Sequence, residues 1–192
     1  MRLIAILALV CCSLFALPAC GRKVAVIDPN TSIHLSGMWN DDDSKTVSNE
    51  MIEQCMKGAW ITNFRDRSGR APLFRVSSIQ NKSNEEIATE IFTNDLERAA
   101  INSGRVRVVG SRGEAEQTRA ERADVQANAA AAPASGNEQA PDFVLQGSIK
   151  IQHDGHKDTQ VKFYQVDLKL LDITTNETVW IGSTERKKLI EN

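Results

Sequence analysis

FVLQGSIKIQHDGHKDTQVKFYQVDLKLLDITTNETVWIGST, residues 143–184, decides the fold. Within it Phe143–Ile151, Gln160–Ile173 and Glu177–Thr184 are rich in Val, Ile, Phe and Leu, and Asp154-Gly155 and Thr174-Thr175-Asn176 stand between them as turn residues. Three apolar runs joined by short turns predict an antiparallel meander. In the middle run Val161 and Phe163 share one parity and Tyr164, Val166, Leu168 and Leu170 the other. That change predicts a bulge or a strand buried on both faces.

Upstream the pattern turns helical. Residues 44–57 place Val47, Met51, Ile52, Cys55 and Met56 on one stripe, with Asp41, Asp42 and Asp43 before it to complement the helix dipole and one of them or Ser44 as N-cap. Trp60–Phe64 reads as a short apolar piece, residues 66–70 as a turn and Leu73–Ile79 as a strand. Ser83-Asn84-Glu85-Glu86 is a capping box opening a helix lined by Ile87, Ile91, Leu96, Ala99 and Ala100, which Gly104 ends. Val106–Val109 is a short strand. Residues 114–126 form a helix polar enough to lie in solvent, and residues 127–141 are a low-complexity, flexible excursion. Together with a first strand over Lys23–Asp28, this order predicts an α/β (α+β) single domain, a mixed sheet covered by helices with the meander at its C-terminal end.

The N-terminus carries a different signal. Arg2 precedes an apolar run, Leu3–Leu17, of about 15 residues, shorter than the roughly 20 a membrane span needs. Leu17-Pro18-Ala19-Cys20 follows, with a small residue before a cysteine whose thiolate can accept a diacylglycerol. The expectation is a lipoprotein signal peptide over 1–19, cleavage between Ala19 and Cys20, lipidation of Cys20 and a tether over 20–22, leaving a periplasmic domain over 23–192. Gly21 is not the Asp that commonly retains bacterial lipoproteins in the inner membrane, so the expected location is the outer membrane with the domain facing the periplasm.

Cleavage would remove 19 of 192 residues and leave 173, one domain's worth. The full chain has 23 basic against 25 acidic residues, and with only Arg2 in the signal the mature balance is 22 against 25. Such a balance gives no footprint for nucleic acid. Of the four cysteines only Cys20 and Cys55 survive cleavage, and Cys55 on its helical stripe reads as core.

Catalytic signatures are missing. Asp41-Asp42-Asp43 lacks the alternating, Gly-centred calcium loop, and His153-Asp154-Gly155-His156 offers two imidazoles on a turn without further ligands. Cys55 has no neighbouring base, and Gly110-Ser111-Arg112-Gly113 lacks a P-loop's Lys and following Ser/Thr. The reading is no enzyme, no cofactor and no metal. Arg186-Lys187-Lys188 reads as a solvated basic end able to attract anionic lipid or an acidic partner.

Several segments resemble the LpoB family of outer-membrane lipoproteins that activate bifunctional penicillin-binding proteins. They are Ser36-Gly37-Met38-Trp39-Asn40-Asp41-Asp42-Asp43-Ser44, Glu50-Met51-Ile52, the run from Asn94 to Val106, the run from Asp142 to Ile149, Tyr164–Leu168 and Val179-Trp180-Ile181-Gly182. The resemblance implies a domain similar to the N-terminal domain of TolB and a protein partner, a class A penicillin-binding protein, activated by contact in peptidoglycan synthesis. Trp39 and Trp180 read either as aromatics of such a contact or as fillers of the core. The best-known members of that family have a long Pro-rich segment between lipid and domain, whereas here the tether is almost absent.

Two other readings stand beside it. Residues 142–147 and 166–172 also resemble curli-secretion lipoproteins, oligomers that insert hairpins into the outer membrane; no spare pair of strands with an apolar lipid face is left once the core sheet is assigned. A periplasmic metal or small-molecule binder would gather ligands around His153 and His156.

Overall fold

A computed structural model describes residues 24–28, 31–131, 134, 136–156 and 158–191. The expected signal, the cleavage site, Cys20 and Lys23 lie outside them. Ser32–Asn192 form one compact unit, and the residues up to Thr31 another. In that first unit Val24–Asp28 adopt no regular structure, with Val24 and Val26 at 88% and 101% relative exposure. Over its described part, 24–28, the expected strand is therefore not formed, and among the described residues no strand pairs with it to complete a ladder.

The compact unit begins with α1 (Asp41–Met56), α2 (Trp60–Ser68), β1 (Leu73–Asn81) and α3 (Thr89–Asn102). It continues through β2 (Arg107–Val108), α4 (Arg112–Asn128), β3 (Phe143–His156), β4 (Thr159–Asp172) and β5 (Thr178–Glu191). The strands form one sheet in the order β2-β1-β3-β4-β5. β1 runs parallel to β2 and to β3, while β3, β4 and β5 are the antiparallel meander. The mixed α+β sheet read from the sequence is thus present. Asp142 ties the parallel pair at its entry, its carboxylate taking both Arg70 guanidinium nitrogens at 2.7 Å and the Leu73 N–H at 2.7 Å.

One face of this sheet holds the core. Tyr164, Val166, Leu168 and Leu170 of β4 alternate inward with Phe143, Leu145 and Ile149 of β3, and Phe74, Val76 and Ile79 of β1. Against them pack the expected stripe of α1, Val47, Met51, Ile52, Cys55 and Met56, and the Phe92, Leu96 and Ala100 face of α3. α2 adds Trp60, whose ring stands 4.8 Å from that of Phe143. α4 buries none of its residues, as its polar sequence predicts.

Several boundaries differ from the sequence reading. α1 is capped by Asn40, in a reciprocal box with Asp43 at 3.0 Å each way, and not by Ser44 or an aspartate; the three acids fill the first turn. The expected apolar piece and turn over 60–70 are one helix, closed by Gly69 at φ 68°. α3 starts at Thr89, so Ser83 caps nothing, and Phe92 faces inward while Ile91 is 53% exposed. Glu85, expected at the cap, is taken by Tyr164 and Lys162. The β3–β4 turn falls between His156 and Thr159, and Asp154-Gly155 lie within β3. No bulge interrupts β4 at 163–164: Val161 and Phe163 point to the sheet's other face, and the irregularities sit at Leu170/Leu171 and Val76/Ile79. β5 runs on to Glu191 through the basic cluster, whose alternate members find acids on the inner side.

Those acids, Asp43 and Glu50, lie on α1, and residues 33–40 ahead of it form a strap over one end of the sheet. Lys188 reaches from β5 to the Asp43 carboxylate and donates to the Met38 carbonyl at 2.7 Å. Arg186 pairs with Glu50 at 2.7 Å. The Tyr164 hydroxyl donates to Glu85 at 2.6 Å, 3.2 Å from the Gly37 carbonyl, and Lys162 meets the same carboxylate at 2.7 Å. Trp39 donates its indole N–H to Ser44 at 2.8 Å while its ring meets Phe92 edge-on. Gly37 must be glycine: its φ is +64°, and a Cβ would lie 2.6 Å from Ile190.

Burial works to raise the Glu85 pKa, but Lys162, Tyr164 and the Trp39 N–H outweigh it and hold the carboxyl below its usual range. A folded pKa below the unfolded one stabilises above the unfolded value and is lost as pH falls through the folded one. The urea midpoint should therefore drop on acidification below the ordinary Glu pKa of about 4.3, and Glu85→Gln should flatten that drop while lowering the midpoint at pH 7. Lys188→Ala should cost about 3 kcal/mol in urea unfolding, because it strands the buried Asp43 carboxylate, and Lys188→Met with Asp43→Asn should recover part of it.

Candidate functional surface

The residues singled out for chemistry are scattered. His153 Nε2 donates a single hydrogen bond to Asn84 Oδ1 at 3.0 Å, and among the described residues no three His, Cys, Asp or Glu side chains gather as a metal site. The Cys55 thiol is fully buried, and burial pushes its pKa up to about 12 despite the nearby Trp60. It is core, as its stripe predicts. Asp41, Asp42 and Asp43 serve the first turn of α1.

Trp39 and Trp180 both lie partly exposed on the helix-covered side, packed against the core. Trp39 closes the strap. Trp180 lies over Gly182, where a Cβ would meet its ring at 2.4 Å. The basic end, read as solvated, is largely spent inside the molecule: Arg186 and Lys188 hold Glu50 and Asp43, and Lys187 alone of the three is exposed.

The free surface is the other face of the meander. Strand alternation sends every second side chain there, and no helix buries it. At its centre Asp167 accepts from Lys150, Gln165 and Ser183, each at 2.8 Å. Burial would raise the Asp167 pKa; the bonds from Lys150, Gln165 and Ser183 outweigh it and keep the carboxyl ionised below its usual range. This bridge across three strands divides the face in two.

Towards the β3–β4 hairpin the face is apolar. Val161 pairs across the ladder with Leu189, and Phe163 follows two residues along the same strand, with Lys187 opposite it. Leu189 is 62% exposed, and cross-strand neighbours of this kind lie about 5 Å apart, close enough to make one patch. Towards β1 the face is polar, a groove of about 420 Å³ whose walls carry serines, glutamines and lysines. Of the two alternatives read from the parity change, the strand with both faces used is the one that points to this patch, because Val161 and Phe163 sit at the odd positions shared by Gln165, Asp167 and Lys169.

The family model of the peptidoglycan-synthase activator LpoB matches residues 43–186. Among solved structures, the LpoB C-terminal domain from Escherichia coli is similar at 18% identity and a TM-score of 0.45, covering 75% of this chain and 98% of that chain. The same domain from Salmonella enterica gives 15% identity and a TM-score of 0.44 with the same coverage. A lipoprotein from Neisseria meningitidis gives 15% and 0.40, over 61% of this chain and 83% of that one. No curated protein sequence is matched. The family match runs from the first turn of α1 to the middle of β5, and the chain belongs to the LpoB family of peptidoglycan-synthase activators.

Proposed function

We propose that this protein is an outer-membrane lipoprotein, anchored through Cys20, whose periplasm-facing domain binds a class A penicillin-binding protein and activates it by contact. The observation that carries the reading is the family match across the folded unit. The chain's own chemistry agrees with a contact role: Asp43 is consumed in holding β5 to the first helix, and the open face offers shape and anchors in place of a reacting group.

The partner's seat in this reading is the apolar end of the open face, Val161, Phe163 and Leu189. Buried aromatic and aliphatic anchors ringed by polar groups dominate protein contacts. Trp39 and Trp180 serve it from the covered side, by fixing the strap and the edge of β5, with their exposed margins as a secondary contact.

Anchoring sets where this can happen. With no strand at 24–28, the chain between Cys20 and Ser32 is tether in this reading, eleven residues that reach at most about 40 Å when fully extended. That is longer than the three-residue tether read from the sequence. It still leaves the partner to approach from its own side of the periplasm.

Cys20→Ala should move the protein from the outer-membrane fraction to the soluble periplasm with its circular dichroism unchanged; continued fractionation with the membrane would refute the anchor. For the contact, full-length protein in detergent should raise the glycosyltransferase rate of a purified class A penicillin-binding protein. Phe163→Ala or Leu189→Glu should weaken that binding by about thirty-fold, the scale of an interface hot spot, with the urea midpoint of Leu189→Glu near wild type.

A further inference from the structure

The polar end of the open face gathers in one groove several side chains whose hydrogen-bonding capacity the protein leaves unused. Ser77, Ser78, Gln80 and Gln146 line the 420 Å³ groove, and among the described residues their side chains make no hydrogen bond to the protein. Lys82 and Lys169 stand on the same walls with no ion pair among the described residues, while Lys150 is held by Asp167. Three lysines against one aspartate leave the groove positive although the whole chain carries a formal charge of −2.

Backbone geometry supports the same surface. Between Val76 and Ile79 the β1–β3 register takes one extra residue, so that Ser77 and Ser78 occupy a bulge at the groove wall. Bulges re-aim side chains and are enriched beside functional sites. Opposite them Ile181, 64% exposed, supplies the one apolar side chain of the lining.

We infer that this groove binds a carboxylate-bearing glycan strand. Serine and lysine are depleted at the cores of protein interfaces, where aromatic residues and arginine are enriched, so the lining does not suit a protein anchor. A sugar chain fits it on each count. Primary amides and hydroxyls pair with ring hydroxyls and acetamido groups, Ile181 offers an apolar contact to a sugar's C–H face, and Lys82 and Lys169 meet carboxylates as mobile point charges. The synthase partner of the proposed function makes such a strand, and the biological setting of this inference rests on that reading. The binding chemistry does not.

The test is calorimetric titration of the full-length protein in detergent with four probes. They are soluble peptidoglycan strands with stem peptides, the same strands after amidase treatment, N-acetylglucosamine oligomers and poly-glutamate. The groove should bind both peptidoglycan strands, each of which carries carboxylates on a sugar backbone, at least tenfold more tightly than either the uncharged oligomers or poly-glutamate. Gln146→Ala and Lys169→Ala should each weaken strand binding about tenfold while leaving capture of the class A penicillin-binding protein unchanged, and Leu189→Glu should do the reverse. No strand binding, equal binding of poly-glutamate, or loss of synthase capture in Gln146→Ala with strand binding intact would overturn the inference. If Leu189→Glu also leaves synthase capture intact, it is the contact reading that fails, separately from the groove.

Discussion

The fold hangs on a lysine in its last strand. Lys188 crosses to Asp43 and the Met38 carbonyl, 145 to 150 positions earlier, and closes the first helix and the strap before it onto the end of the sheet. Both charged side chains are almost fully covered, at 11% and 5% exposure, so neither tolerates loss of the other. Tyr164, Glu85 and Lys162 repeat the arrangement beside it, and a tryptophan seals the corner. A chain whose terminal strand must find its first helix pays its loop-closure entropy early, and these paired charges reward it only when every partner is in place.

This closure decides which face of the sheet is left. With α1, α2 and α3 all on the inner side and α4 burying nothing, the outer face of the meander stays open over strands of 14 residues. Such a face normally reads hydrophobic-in, polar-out. Here it departs from that pattern in an apolar patch at Val161, Phe163 and Leu189, and beyond the Asp167 bridge it keeps to it in a groove of amides and hydroxyls around Gln146. The proposed contact takes the patch and the proposed glycan site the groove.

Much of this was written locally. The stripe Val47, Met51, Ile52, Cys55 and Met56, the polar α4, the left-handed Gly104 and the three meander strands all follow from short-range pattern. What local pattern missed depended on distant partners. Glu85 looked like a capping acid, because Tyr164 and Lys162 lie 77 to 79 residues away. The Arg186-Lys187-Lys188 run looked solvated, because Glu50 and Asp43, which turn two of its cations inward, lie far off in the chain. α2 was missed for another reason: at nine residues it is shorter than the window in which helical periodicity shows. The family motif from Ser36 to Ser44 was legible as a resemblance, while its work, a glycine turn, an indole clasp and a cap, was legible only in the fold.

The claim that the domain acts through its open face is tested most directly by site-specific photo-crosslinking in cells. A photoreactive phenylalanine analogue at position 163, on the outer face, should capture a class A penicillin-binding protein. The same analogue at position 91, exposed on the helical side, should not. Capture from position 91 with none from position 163 would contradict the account and move the contact to the helices.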